Sequence, residues 1–433
     1  MKNHLKNLHQ YLLYTFIFLL PWHTIYIVRE VFYGVEKWQY GTIGIYVADI
    51  FLILLLLLSI YLYKEIILTQ IFKRPKLLLV GLLLSLWGFM SIIWADDKIL
   101  AFYFAIKLSL AIDLFFLIQI IPIKIRNLSI VFVISVLIQS IIGLYQFITQ
   151  HTFSQKFLGL QYHDAWHGGS AIIQIDTERW LRAYGGTPHP NIFGVILLCA
   201  LLLSIYLFLK QRNKYYKIFI LVSISVFTTS ILYTFSRTLW LTSVLSLIAF
   251  VIYIYKNKKT SFQQITAPLL LIITTILLII NFYQNIFFNR ISHDTTLSHN
   301  SISDRTLYIQ QSKSLISLYP IHGTGIGNYT NTLKTHLHTS DPIWQYQPVH
   351  NIYLLIISEI GIIGFGLFAL FIVTIFHILY LNKKNVTLTQ LTFITLFIGM
   401  LFISLFDHLI WTSHFGLIAL FLLGGLSLRK NIT

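Results

Sequence analysis

The chain has 433 residues, 56% of them apolar and only 11% charged, with a mean hydropathy of +0.75. Soluble domains carry about 25% charged residues, so this composition excludes an ordinary soluble protein and calls for one that crosses a membrane repeatedly. The net charge of +16 would suit nucleic acid, but the basic residues sit in short tethers between apolar runs, which excludes a nucleic-acid surface.

A helix needs about 17–25 mostly apolar residues to cross a hydrocarbon core of roughly 30 Å. Twelve runs meet that need, at 11–28, 42–63, 77–94, 100–122, 127–148, 190–209, 218–235, 238–255, 265–283, 351–381, 387–406 and 409–428. They predict an all-α, polytopic membrane protein. The first run follows Lys2 and Lys6 without a small-residue cleavage site after it, so it reads as a retained span and not a signal peptide. Counting loops alternately, one set holds Lys2, Lys6, Lys64, Lys73, Arg74, Lys76, Lys124, Arg126, Lys210, Arg212, Lys214, Lys217, Lys256, Lys258, Lys259, Lys383, Lys384, Arg429 and Lys430, with Glu65 its only acid. In the other set acids and bases balance. The basic set marks the cytoplasmic face, which places both termini inside and the long loops 149–189 and 284–350 outside. Cys199, the only cysteine, falls within a span and can form neither an intramolecular disulfide nor a thiolate cluster.

Residues 1–148 read as a five-span scaffold. Asp49, Lys107 and Asp113 interrupt its apolar runs. A charge at mid-bilayer costs about 2.5–3.5 kcal/mol on insertion scales. Each is therefore expected to face the bundle interior, with Lys107 paired to Asp49 or Asp113; a proton or ion path is the functional alternative. The loop 149–189 ends in Arg182-Ala-Tyr-Gly-Gly-Thr-Pro-His189-Pro-Asn191, where glycine and proline set a tight turn and Arg182, His189 and Asn191 supply polar groups beside it. Upstream, His163, Asp164 and His167 have metal-ligand types but no evident fourth partner, so no metal is expected.

Within the four-span segment 190–283, Ser236-Arg237-Thr-Leu-Trp-Leu forms a minimal outer turn that leaves Arg237 at the membrane–water boundary, where snorkelling is the simple reading. In the loop 284–350, Ser303 or Asp304 is expected to cap a short helix running to Pro320, with Arg305 in its first turn. The glycines of 323–327 lack a following Lys-Ser/Thr and are not a nucleotide loop, though they could form a backbone nest for an anion. Pro348 suits a first helical turn, which would set His350 among free backbone N–H groups facing outward, either as a plain helix cap or beside an anionic ligand. In the three-span segment 351–433, Glu359 lies half a turn out of phase with His350, and Phe-Asp407-His408-Leu-Ile-Trp returns an acid to the same boundary.

The outer boundary thus collects Arg182, Arg237, Arg305, His350 and Asp407. Arginine forks bind diphosphate and a histidine can accept a proton near neutral pH, so a lipid-linked sugar diphosphate fits the set. The stretches 182–191, 236–241, 304–306 with 319–329, 350–354 and 406–411 resemble, in order and spacing, the bacterial O-antigen ligase and O-antigen polymerase family. That resemblance implies transfer of O-antigen from undecaprenyl diphosphate to lipid A-core oligosaccharide at the periplasmic face of the inner membrane, with inversion and without cofactor, metal or nucleotide. By position His350 matches the family's essential histidine, Arg237 and Arg305 its essential arginines, and Asp407 an important acid. Arg182, His189, Asn191 and Asn351 are donor or acceptor candidates, and Asp407 or Asn351 would orient His350. The related polymerase differs only in its acceptor. A protein O-oligosaccharyltransferase usually adds a soluble C-terminal portion, and this sequence runs to Thr433; a transporter would place its key charges at mid-membrane.

Overall fold

Each apolar run contains a helix, because a helix satisfies its own backbone polar groups where no water is at hand, although the first, 11–28, is helical only to Leu19 and enters a strand at Ile25. The computed structural model describes residues 2–33, 36–175, 177–257, 262–292, 296–336 and 345–429. The apolar helices are α1 (Lys2–Leu19), α2 (Val47–Ile71), α3 (Pro75–Met90), α4 (Lys98–Ile120), α5 (Ile125–Thr149), α6 (Pro190–Lys210), α7 (Lys214–Tyr233), α8 (Arg237–Lys256) and α9 (Phe262–Phe282). After the connecting helices α10 (Gln284–Ser292), α11 (Thr296–Leu318) and α12 (Tyr329–His336) come α13 (Ile352–Leu381), α14 (Leu388–Ile403), the single turn α15 (Leu409–Thr412) and α16 (His414–Ser427). Among the described residues, eight of these helices are long and apolar enough to cross a membrane; α3, α14 and α16 are shorter apolar helices. The protein is an all-α polytopic membrane protein. Its only sheets among the described residues are two-stranded: β1 (Ile25–Arg29) with β4 (Ile43–Tyr46), β2 (Phe32–Tyr33) with β3 (Glu36–Lys37), and β5 (Ile172–Ile175) with β6 (Glu178–Leu181).

Hydrogen bonds sort the connections to two ends of the bundle. At one end Arg429 donates to the carbonyls of Ile118 and Ile121, and Gln390 Nε2 to that of Arg429. At the other, the loops before α6, α8, α13 and α15 bond to one another and build the candidate site. Helix α6 is the buried axis, with 94% of its apolar window inside the protein, and Cys199 is buried within it.

The sharpest feature is a break in α13 at Gly361, where φ is +67°. In a straight helix the carbonyls of Ser358 and Glu359 would take the amides of Ile362 and Ile363. Here those amides bond to Pro320 and Ile321 at 3.0 and 3.5 Å, and the freed carbonyls accept from Thr324 at 2.9 Å and Gly325 at 2.7 Å. The exchange seats the glycine loop 323–327 in the break. Gly323 has φ +71°, and a Cβ there would lie 2.4 Å from the Glu359 backbone, so only glycine fits. Two of the loop's amides are thus spent on α13 carbonyls, while the Gly327 and Tyr329 amides turn to the Glu359 carboxylate, an acid of the chain itself.

Other expectations also shift. Asn351, not Pro348, starts α13: its side-chain oxygen accepts from the Leu354 amide at 3.1 Å, and Pro348 and His350 precede the helix. The phase argument separating His350 from Glu359 consequently lapses, and both line one cavity. Ser303 and Asp304 lie inside α11 and do not cap it, because that helix already begins at Thr296. Arg305 is accordingly mid-helix. Lys107 pairs with Asp49, and His414 Nδ1 stands 3.5 Å from the same carboxylate. Asp113 does not join them: six residues beyond Lys107 is about 240° around α4, and its side chain is exposed. Lys258, Lys259 and Lys430 lie outside the described residues.

Candidate active site

The turn between α7 and α8 fixes the geometry. Phe235 takes the left-handed conformation at φ +47°, turning the chain so that α8 starts at Arg237. Its own carbonyl and that of Thr234 become acceptors for arginines from elsewhere. Arg182 Nε donates to the Thr234 carbonyl at 2.6 Å, and Arg290 Nε, from α10, donates to the Phe235 carbonyl at 3.0 Å. Arg305, exposed on α11, is the charge neighbour of Arg237. Burial and then the charges of Arg182, Arg237 and Arg305 push Arg290 down to about 9, still cationic at neutral pH. Four guanidinium groups therefore share one region.

From Arg182 a polar row leads to His350. Arg182 Nη2 donates to Asn191 Oδ1 at 2.7 Å, and Asn191 Nδ2 donates to Asp407 Oδ2 at 2.7 Å. The row fixes the amide's orientation, since arginine only donates and an ionised carboxylate only accepts. Asp407 Oδ1 also takes the Leu409 amide at 3.1 Å and lies 3.8 Å from His350 Nδ1. That last distance is an ion-pair approach and too long for a hydrogen bond. Burial would raise the Asp407 carboxyl, but the adjoining His350 outweighs it and holds the group well below the usual carboxylate range. Asp407 is a fixed anion beside the histidine.

Two further histidines surround His350 without matching its position. His189 caps α6, its Nδ1 accepting from the Asn191 amide at 3.1 Å, and burial followed by the Arg182 charge pushes it down to about 3. His408 stands with its ring 4.9 Å from that of His350 and its Nδ1 at 2.8 Å from Thr412 Oγ1; burial again leads to about 3. Both are neutral at pH 7. His350 is half-buried, with the Tyr308 ring 6.0 Å from its own. Asn351 turns its amide nitrogen to the Leu405 carbonyl at 3.2 Å, so both ends of its side chain serve the backbone.

A cavity of about 840 Å³ opens against this row, lined by Asn191, Asp407 and His350. His350, Asp407 and His408 line it, and so do Tyr40, Tyr103 and Lys107. Among the described residues that line it, none is one of the four arginines. The expected scaffold thus supplies much of the cavity. Tyr40 was not singled out in the sequence, yet its hydroxyl donates to Gln347 Oε1 at 2.5 Å and its ring meets His408 at 6.1 Å. Arg290 was likewise not singled out in the sequence. No local motif marks either one.

His350, Asp407 and His408 each offer a ligand atom within 4.8 Å of the others, a spacing a cation could use. Both Asp407 oxygens already accept N–H groups. The His163, Asp164 and His167 set has structural partners: Asp164 takes the amides of Trp166 and His167, and His163 stacks on Tyr184 at 4.5 Å. Comparison with known proteins matches residues 223–369 to the O-antigen ligase family. No curated protein matches the chain.

Proposed function

We propose, for a membrane protein that carries an O-antigen ligase family segment at residues 223–369, that it transfers O-antigen polysaccharide from undecaprenyl diphosphate to a hydroxyl of lipid A-core oligosaccharide. The observation that carries this reading is the partition of the site. The arginines gather at the Arg182 end of the Arg182–Asn191–Asp407–His350 row, around the 234–237 turn, and none of them is among the described residues lining the 840 Å³ cavity that His350 faces at the other end. A diphosphate and a sugar acceptor can then approach the histidine from different directions.

In this reading Arg237 and Arg305 hold the diphosphate. The acceptor hydroxyl enters through the cavity and attacks the anomeric carbon from the face opposite the leaving group, which inverts it. The bond from that carbon to the diphosphate oxygen breaks, its electron pair leaves on the diphosphate, and the hydroxyl proton passes to His350. Asp407, anionic and 3.8 Å from His350 Nδ1, stabilises the imidazolium so formed. Arginine charge placed where negative charge develops is commonly the largest catalytic contribution. No nucleotide or cofactor enters the scheme. The long loops would face the periplasm and both termini the cytoplasm of a bacterial inner membrane.

Cells lacking the gene test the reading through their lipopolysaccharide gel pattern. Loss of all long-chain bands with accumulation of lipid-linked polymer is expected. A ladder of core plus one unit would instead make the protein the polymerase, which uses the same donor chemistry on a lipid-linked acceptor. An unchanged pattern would refute both.

A further inference from the structure

We infer that Arg290 is a further donor-binding residue, contributing a guanidinium to the diphosphate site. The inference deepens the proposed function and rests on it for the identity of the phosphate ligand. Its basis is the 234–237 turn, which acts as a bracket for three arginines. Thr234 presents its carbonyl to Arg182, Phe235 presents its carbonyl to Arg290, and Arg237 is the next helical residue.

In both bracketed side chains it is Nε that bonds to the carbonyl. This fixes the plane of the fork and leaves the terminal nitrogens. Arg182 turns Nη2 to Asn191 and so belongs to the row that holds Asp407. Arg290, partly buried at the end of α10, has its fork directed by the same turn that places Arg237, and it is coupled to the charges of Arg182, Arg237 and Arg305. Like charges gathered in one region repel one another, and Asp407, the carboxylate that Arg182 reaches through Asn191, already takes that amide. A phosphate ligand relieves that repulsion, and planar forks suit its oxygens. As the glycosidic bond breaks, the diphosphate gains negative charge, so an added guanidinium strengthens binding most when the group is leaving.

A merely structural Arg290 would brace the turn through Nε and touch no ligand. Arg290→Gln separates the cases, since its amide can still donate to the Phe235 carbonyl but carries no charge. The probe is undecaprenyl diphosphate without glycan, titrated against purified wild type and Arg290→Gln in detergent, alongside each protein's melting temperature. We expect at least tenfold weaker binding with an unchanged melting temperature, and a shallower dependence of binding on salt. Arg290→Lys, which keeps the charge, should recover part of the affinity. Equal binding by wild type and Arg290→Gln overturns the inference, as does a loss matched by a lowered melting temperature that Arg290→Lys does not relieve. If wild type itself fails to bind undecaprenyl diphosphate, the proposed function fails, and with it this inference.

Discussion

Arg237→Lys and Arg305→Lys should each lose transfer by about 10²–10³-fold, the range found when one preorganised donor to a developing anion is removed, although both keep the positive charge. Lysine offers a compact ammonium on a flexible stem and cannot make the forked contact with two phosphate oxygens. For Arg237 the start of α8 fixes where the side chain begins, directly after a left-handed Phe235, so a lysine there could not shift its backbone to compensate. Arg305 is exposed and sits mid-helix, where substitution should leave the fold intact. The assay is in vitro transfer from purified undecaprenyl-diphosphate glycan to rough lipopolysaccharide, at matched protein levels. Wild-type rates in either variant would return that arginine to a snorkelling role. A transporter makes the opposite forecast: sensitivity at Asp49 and Lys107, which are buried together, and tolerance at the arginines.

The helices were legible because apolar length alone requires them, and the sequence also supplied Arg182, Asn191, His350 and Asp407, which the structure joins in one row. What it hid depended on contacts between distant segments. Arg290 and Phe235 are 55 residues apart, and Tyr40 and Gln347 are 307 apart; neither pair has a local pattern. Helical phase misplaced Glu359 because it assumed a continuous helix through 350–359. In fact α13 begins only at Ile352, so His350 lies ahead of the helix that carries Glu359. The same assumption of local rules turned Pro348 into a helix start and Ser303 or Asp304 into a cap. Each is a residue whose usual role was overridden by where the neighbouring chain already bonded. Asp113 failed in the other direction: charge alone suggested an interior partner, while its place on α4 leaves it exposed.

His350→Ala should abolish measurable transfer while leaving the protein folded and the donor bound. The substitution removes a half-buried ring at the cavity wall and, in the proposed scheme, the only group that accepts the acceptor's proton. Neither neighbour can replace it. His189 accepts the Asn191 amide on Nδ1 and His408 engages Thr412, and both are pushed down to about 3, too weakly basic to share the work at pH 7. General-base catalysis contributes about 10²–10⁴-fold, enough to erase long-chain product from a gel. Donor affinity should stay near wild type, because the four arginines lie outside the cavity lining that His350 shares, whereas Arg237→Ala should weaken it. Transfer and donor binding are to be measured for both variants, each with and without chelator. An active His350→Ala enzyme would take the base out of the mechanism. Loss of wild-type activity to chelator, restored by a divalent ion, would instead assign His350, Asp407 and His408, whose ligand atoms lie within 4.8 Å, to a metal and not to proton transfer.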